Sequence, residues 1–186
     1  DPAVENLTRE DRIQLCMEQD SVLQSGEKVI SATSGTSDSI GHSAMVSSNG
    51  FSGSQQTTSM WLGSEVTFTG EGDKKPATWM WGGARHRTAT PSPADVANIA
   101  LERGYAVLGS SKGPTQQGIM IVDPSISAQL IRRLLRPATG RDISQNRSFW
   151  ADKLGQQSVS PKLTLIDDPL IPRGLNSRHY DSEGIS

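Results

Sequence analysis

His42, His86, His179, Cys16 and a cluster of arginines are the side chains of this 186-residue chain with the most chemistry to offer. The three histidines are isolated, with no second His or Cys at ligand spacing. A zinc site built from them would have to gather its ligands from three separate loops, so they read as ordinary strand and loop residues. Ser110-Ser111-Lys112 places hydroxyls beside an amine that can act as a base. Adjacent residues in a polar linker have no fixed geometry, and a plain linker is the simpler reading. Gly70 to Lys75 is too short for a phosphate loop and lacks the helix start that such a loop feeds. Trp61, Trp79 and Trp81 can stack nucleic-acid bases or, more commonly, pack a sheet face. Arg132, Arg133, Arg136, Arg141 and Arg147 form the densest basic cluster. They can meet phosphate or carboxylate, although covering the polar side of an amphipathic helix is the favoured reading.

The elements that would position these groups follow from periodicity. Ile119-Met120-Ile121-Val122 is a short apolar run, expected as a buried strand. Asp123 then caps a helix that opens with Pro124, and Ile126, Leu130, Ile131, Leu134 and Leu135 line one face of it. Pro137 should stop it at Arg136. After the break at Thr139-Gly140-Arg141-Asp142, a second apolar helix is expected to hold Phe149, Trp150 and Leu154, with Gly155 as its C-terminal cap.

Earlier in the chain, Thr8-Arg9-Glu10-Asp11 has capping-box spacing with Asp for Glu. Ile13, Cys16, Met17 and Leu23 follow at near-helical period as far as Gly26. From Val29 to Arg87 the chain is rich in Ser, Thr and Gly, with alternating apolar residues. Met60, Leu62, Val66 and Phe68 share a parity, Asn49-Gly50 is a hairpin signal, and Gly70 to Lys75 is a second turn. An antiparallel meander of three or four strands is expected. Ser92-Pro93 opens another helix, with Val96, Ile99, Ala100 and Val107 as its apolar face. Gly104 costs that helix about 1 kcal/mol relative to Ala, so a bend or an end is expected there. Ser110 to Gln117 reads as a domain boundary.

Composition narrows the function classes. The net charge of -2 gives no global basic field for nucleic acid or anionic membrane. A single cysteine rules out an intrachain disulfide and a Cys-rich metal cluster. No apolar run approaches the roughly 20 residues of a membrane span, and no signal peptide is visible. A cytoplasmic protein with no membrane partner is expected. The chain lacks an initiator Met and stops at Asp181-Ser182-Glu183-Gly184-Ile185-Ser186, which reads as a strand cut short; a piece of a longer protein is expected.

Four stretches, in order, carry a resemblance. They are Ser48-Asn49-Gly50-Phe51; Gly118 to Arg136; Arg147-Ser148-Phe149 with Asp152 to Gln157; and Leu163 to Pro169 followed by Asp181-Ser182-Glu183-Gly184. With them the chain resembles the TldD/PmbA family, also called modulators of DNA gyrase, from Ser31 to Ser186. The fold class implied is α+β. Residues 1–112 would be the later part of an N-terminal α/β domain, an antiparallel twisted sheet with helices. Residues 113–186 would begin a C-terminal β-barrel-like domain with inserted helices.

TldD-type members of this family resemble metallopeptidases and carry H-E-x-x-x-H on the helix after the apolar run, two imidazoles for the metal and a Glu to activate water. Placed on this chain, the pattern falls on Arg132, Arg133 and Pro137. Guanidinium does not ligate metal, and Pro has no ligand atom. The resemblance is therefore to the PmbA/TldE type. It implies no catalytic or metal-binding residue and no cofactor in this chain, with zinc only in a TldD-like partner. Arg132, Arg133, Asp181 and Glu183 are the expected cleft or partner contacts, with an Arg–carboxylate pair standing where the other type holds its metal. Expected partners are a TldD-like metallopeptidase subunit or a second copy, and a peptide substrate. The alternative is a stand-alone peptide- or nucleic-acid-binding protein; the charge disfavours nucleic acid.

Overall fold

The computed structural model describes residues 1–185. The chain forms two compact units, one from Asp1 to Ser111 joined by the terminal segment from Asp168, the other from Lys112 to Asp167.

In the first unit, a short helix α1 (Pro2–Glu5) precedes α2 (Arg9–Gln24). Thr8 accepts from the Asp11 N–H, and the Asp11 carboxylate accepts from the Thr8 N–H, so the capping box forms with Asp in the Glu position. Strands β1 (Val29–Val46), β2 (Ser52–Phe68) and β3 (Ala77–Ala84) form an antiparallel sheet in the order β1-β2-β3. The Asn49-Gly50 turn joins β1 to β2, with Gly50 at φ +92°. Helix α3 (Pro93–Val107) starts on the Ser92 cap and, with α2, covers one sheet face. Met60, Leu62, Ser64, Val66 and Phe68 of β2 alternate onto that face and are fully or almost fully buried. One apolar cluster gathers Leu23, Val66, Phe68, Ala97, Ala100 and Leu101; the other gathers Val4, Leu15, Met60, Leu62 and Val96. The tryptophans belong to the opposite face. Trp61 lies across Gly83 and Trp81 across Gly63, with Trp79 and Trp81 half exposed.

Three sequence expectations change here. The buried face of α2 is Leu15, Gln19 and Leu23, while Ile13 and Met17 are exposed. Gln19 is the reason: its amide is spent on the Leu15 carbonyl at 3.1 Å and on the Ser64 hydroxyl at 3.0 Å. A polar residue can therefore hold a core position and interrupt the apolar period. On α3 the buried residues are Pro93, Val96, Ala97, Ala100, Leu101 and Gly104, and Val107 is exposed. Gly104 does not end α3, which runs on to Val107, and the Phe68 ring occupies the space a side chain there would need.

In the second unit, α4 (Pro124–Leu135) opens on Asp123, whose carboxylate accepts from the Ser125 N–H at 2.8 Å. It gives way at Arg136 to a 3-10 turn, Arg136–Ala138, consistent with Pro137. The next helix, α5, is Gly140–Ser144. Phe149, Trp150 and Leu154 lie in turns beyond it rather than in a helix. Trp150 is held by its indole N–H donating to the Leu134 carbonyl at 2.7 Å and by its contact with Phe149. Ile119 to Val122 is not a strand. Ile119, Met120 and Ile121 are exposed, and among the described residues the second unit offers no strand to pair with. An apolar run becomes a strand only where a neighbouring ladder takes its N–H and C=O groups.

Candidate functional site

The unequal lengths of β2 and β3 leave a concavity beside β2. β2 pairs with β1 along its whole length, from Val46↔Ser52 to Val29↔Phe68. β3 pairs with it only from Met60↔Ala84 to Thr67↔Ala77. Ser52 to Ser59 therefore project past β3, and among the described residues no strand pairs with that edge. Beyond the end of β3 the chain turns through Arg85 and His86, and the Thr58 hydroxyl donates to the Arg85 carbonyl at 2.8 Å.

The terminal segment closes the other wall. Residues 169–178 form a loop tied to itself: the Arg178 N–H donates to the Pro169 carbonyl at 3.0 Å, and the Ser177 hydroxyl to the Ile171 carbonyl at 2.6 Å. Arg85 donates to the Leu175 carbonyl, and Tyr180 packs edge-on against Phe51 at 5.0 Å. The result is a cleft of about 590 Å³ lined by β2 from Ser54 to Thr58, by Asp1 and Glu5 beside it, by Arg85 and His86, and by Arg173, Arg178 and His179 of the loop.

Three arginines outnumber the two carboxylates, Asp1 and Glu5, in the lining of this cleft. Arg173 and Arg178 are exposed, and among the described residues no carboxylate stands within ion-pair reach of Arg85, Arg173 or Arg178. The Asp1 carboxylate, part of the lining, accepts from the N–H groups of Ala3 and Arg87 at 3.1 and 2.8 Å and lies 3.6 Å from Nδ1 of His86. Burial and then the Arg173 charge hold the His86 imidazole below its usual pKa.

The residues singled out from sequence divide between the units. Arg132 and Arg133 are neighbours in the last turn of α4, both exposed, while Pro137 has left the helix for the 3-10 turn. Asp181 and Glu183 share one turn of the first unit. The Asp181 carboxylate accepts from the N–H groups of Ile185 and Glu183 at 2.9 and 2.8 Å, which lowers its pKa. Its first task is thus to fix its own turn. Among the described residues no three His, Cys, Asp or Glu side chains converge as a metal site. The cleft cations were missed from sequence. The basic pairs Arg85-His86 and Arg178-His179 were the available signal, but they lie more than 90 residues apart.

Residues 2–108 match the PmbA/TldA metallopeptidase central domain, and residues 115–186 match the PmbA/TldA metallopeptidase C-terminal domain. A metalloprotease of Methanocaldococcus jannaschii is 34% identical over 92 residues, 47% of this chain and 20% of that protein. A metalloprotease PmbA homolog of Buchnera aphidicola is 26% identical over 94 residues, 50% of this chain and 21% of that protein. A crystal structure of a Bacteroides thetaiotaomicron protein that carries a DNA-gyrase-modulator name superposes with a TM-score of 0.89 at 28% identity. That match covers 98% of this chain and 42% of the other. The chain thus spans about a fifth of these two curated relatives and less than half of the solved structure.

Proposed function

The chain belongs to the TldD/PmbA metallopeptidase family, and from that premise we propose that it is part of a subunit that binds no metal and presents peptides to a metal-bearing relative. One observation carries this reading: between Glu102 and His179 the sequence contains neither His nor Glu. No register of H-E-x-x-x-H can therefore be satisfied on or around α4. The residues that are there do not fit a zinc ion. Arg132 and Arg133 add positive charge, and the Asp123 carboxylate is engaged as a helix cap. Zinc then belongs to the TldD-like partner, or the subunit pairs with its own copy. The first 112 residues form the later part of the domain that precedes the C-terminal one. In the complete protein the part from residue 113 onward opens a barrel-like domain with inserted helices. No helix among the described residues is long and apolar enough to cross a membrane; a cytoplasmic location is part of the proposal. Exposed Arg132 and Arg133 contact the partner or pair with a carboxylate such as Asp181 or Glu183.

The test is to purify the full-length protein alone and with a co-expressed H-E-x-x-x-H relative. Elemental analysis should find no stoichiometric zinc in the protein alone and about one zinc per partner in the complex, with peptide cleavage only in the complex. One tightly held zinc per chain in the protein alone, surviving dialysis, refutes the assignment. The Arg132→Ala/Arg133→Ala variant should weaken assembly while leaving cleavage per assembled complex unchanged. A loss of orders of magnitude in cleavage with assembly intact makes these arginines catalytic instead.

A further inference from the structure

We propose that the cleft beside β2 takes an extended acidic peptide: its backbone adds as a strand to the open edge at Ser52–Ser59, and a carboxylate it carries sits among Arg85, Arg173 and Arg178. Three independent features converge on this ligand. The first is the edge itself. β3 stops at Ala84, opposite Met60, so among the described residues the preceding stretch of β2 has no ladder partner on that side, and the residues lining the cleft, Ser54 to Thr58, lie within it. An unpaired edge presents N–H and C=O groups at the repeat of another extended chain, which is how peptides are captured by strand addition.

The second feature is charge. Three guanidinium groups, Arg85, Arg173 and Arg178, face one concavity and outnumber the two carboxylates, Asp1 and Glu5, that line it with them; among the described residues none of the three is in ion-pair contact, and the charge of Arg178 reaches Asp181 only at longer range. Guanidinium matches a carboxylate with paired, charge-assisted hydrogen bonds. The third is the fixed geometry of the far wall. The loop is tied by the Arg178–Pro169 and Ser177–Ile171 hydrogen bonds and anchored by Arg85 on the Leu175 carbonyl. The arginines are thus mounted on a wall held in place before the ligand arrives, which reduces the ordering cost of binding.

The inference rests on the reading of the chain as a peptide-handling subunit and adds which edge and which charge. It is tested by fluorescence anisotropy on the full-length protein without its metal-bearing partner. The probes are fluorescein-labelled Val/Thr-rich decapeptides with a central Glu or a central Gln, each as the C-terminal acid and the C-terminal amide. The Glu amide should bind about tenfold or more tightly than the Gln amide. If the Gln acid recovers that affinity, the terminal carboxylate serves as well as a side chain.

The Arg173→Gln/Arg178→Gln variant changes two exposed side chains and keeps the backbone hydrogen bond of residue 178. It should erase the difference while its circular dichroism stays unchanged. Bound peptide should slow amide exchange within residues 52–59. Equal affinity for the Glu and Gln peptides in both terminal forms, or unaltered exchange at 52–59, overturns the proposal. So does a single-stranded DNA oligomer that binds and loses affinity in the double variant while the peptides do not. If the assembled complex cleaves peptides without regard to charge, the cleft proposal falls and the peptide-processing reading stands. If charge-dependent binding persists but no complex cleaves peptide, the cleft stands and the broader reading falls.

Discussion

Replacing Gly104 with Ala sets helix propensity against packing, and the structure decides the sign. On propensity alone Ala stabilises the interior of α3 by about 1 kcal/mol. A Cβ at residue 104 would, however, lie 1.9 Å from Cε2 and 2.3 Å from Cζ of Phe68. Carbon atoms in contact sit at about 3.5–4.0 Å, so the ring would have to retreat by more than a bond length. It has nowhere to go. Phe68 is fully buried in the cluster with Leu23, Val66, Ala97, Ala100 and Leu101, and it meets Tyr105 edge-on at 5.3 Å. Overpacking of this kind costs about 1–3 kcal/mol, occasionally more, and a clash with a trapped ring belongs at the upper end. After the propensity gain, the expected net loss is about 2 kcal/mol. For a chain of this size that corresponds to a fall in Tm of roughly 4–8 °C. Urea denaturation followed by tryptophan fluorescence, alongside a thermal melt, measures it. Shrinking the ring in the Phe68→Leu/Gly104→Ala double variant should return part of the stability lost in Gly104→Ala, because the two sites are in contact and do not add. A Gly104→Ala protein as stable as its parent, or more so, would show that propensity governs this position and that the packing argument is wrong.

Ser64→Ala should cost about 1–3 kcal/mol in urea denaturation, because it strands the buried Gln19 carbonyl that its hydroxyl now serves. Removing both polar groups in Gln19→Leu/Ser64→Ala should recover part of that loss. Asp38→Asn breaks the two-point pairing of Arg12 with Asp38, at 2.6 and 2.7 Å, and should lower stability at pH 7, measured by urea denaturation. The Arg12 hydrogen bond holds the Asp38 carboxyl below its ordinary value of 3.8. Its contribution is therefore complete above the unfolded pKa and disappears as pH falls through the folded one. The stability gap between Asp38→Asn and the parent should narrow below about pH 4; a gap independent of pH between 7 and 2 would refute the ion-pair account.

Some of this protein was legible residue by residue. The parity of Met60, Leu62, Val66 and Phe68 named the buried face of β2, because a strand alternates its side chains whatever packs on it. The caps at Thr8, Ser92 and Asp123, the Asn49-Gly50 turn and the break at Pro137 were equally local, since each depends on groups within a few residues. The lack of His and Glu around α4, which carries the proposed function, is a property of the sequence and needs no fold.

Other features depended on distant neighbours. Gln19 took a core position because Ser64 answers it from another element, and this shifted the buried face of α2 away from Ile13 and Met17. Ile119 to Val122 has the composition of a strand but finds no ladder in its unit. Gly104 looked like a weak point in α3 until Phe68 filled its place. The cleft was the least legible of all. Its arginines come from Arg85 and from a segment more than 80 residues later, and they meet only because the terminal segment returns to the first unit. The edge they face exists because β3 is 8 residues long and β2 is 17. Local sequence determined each element and its caps through short-range hydrogen bonds and side-chain period. Which charges share a space, and which backbone edge is left open beside them, was decided by where distant elements end and how the chain returns.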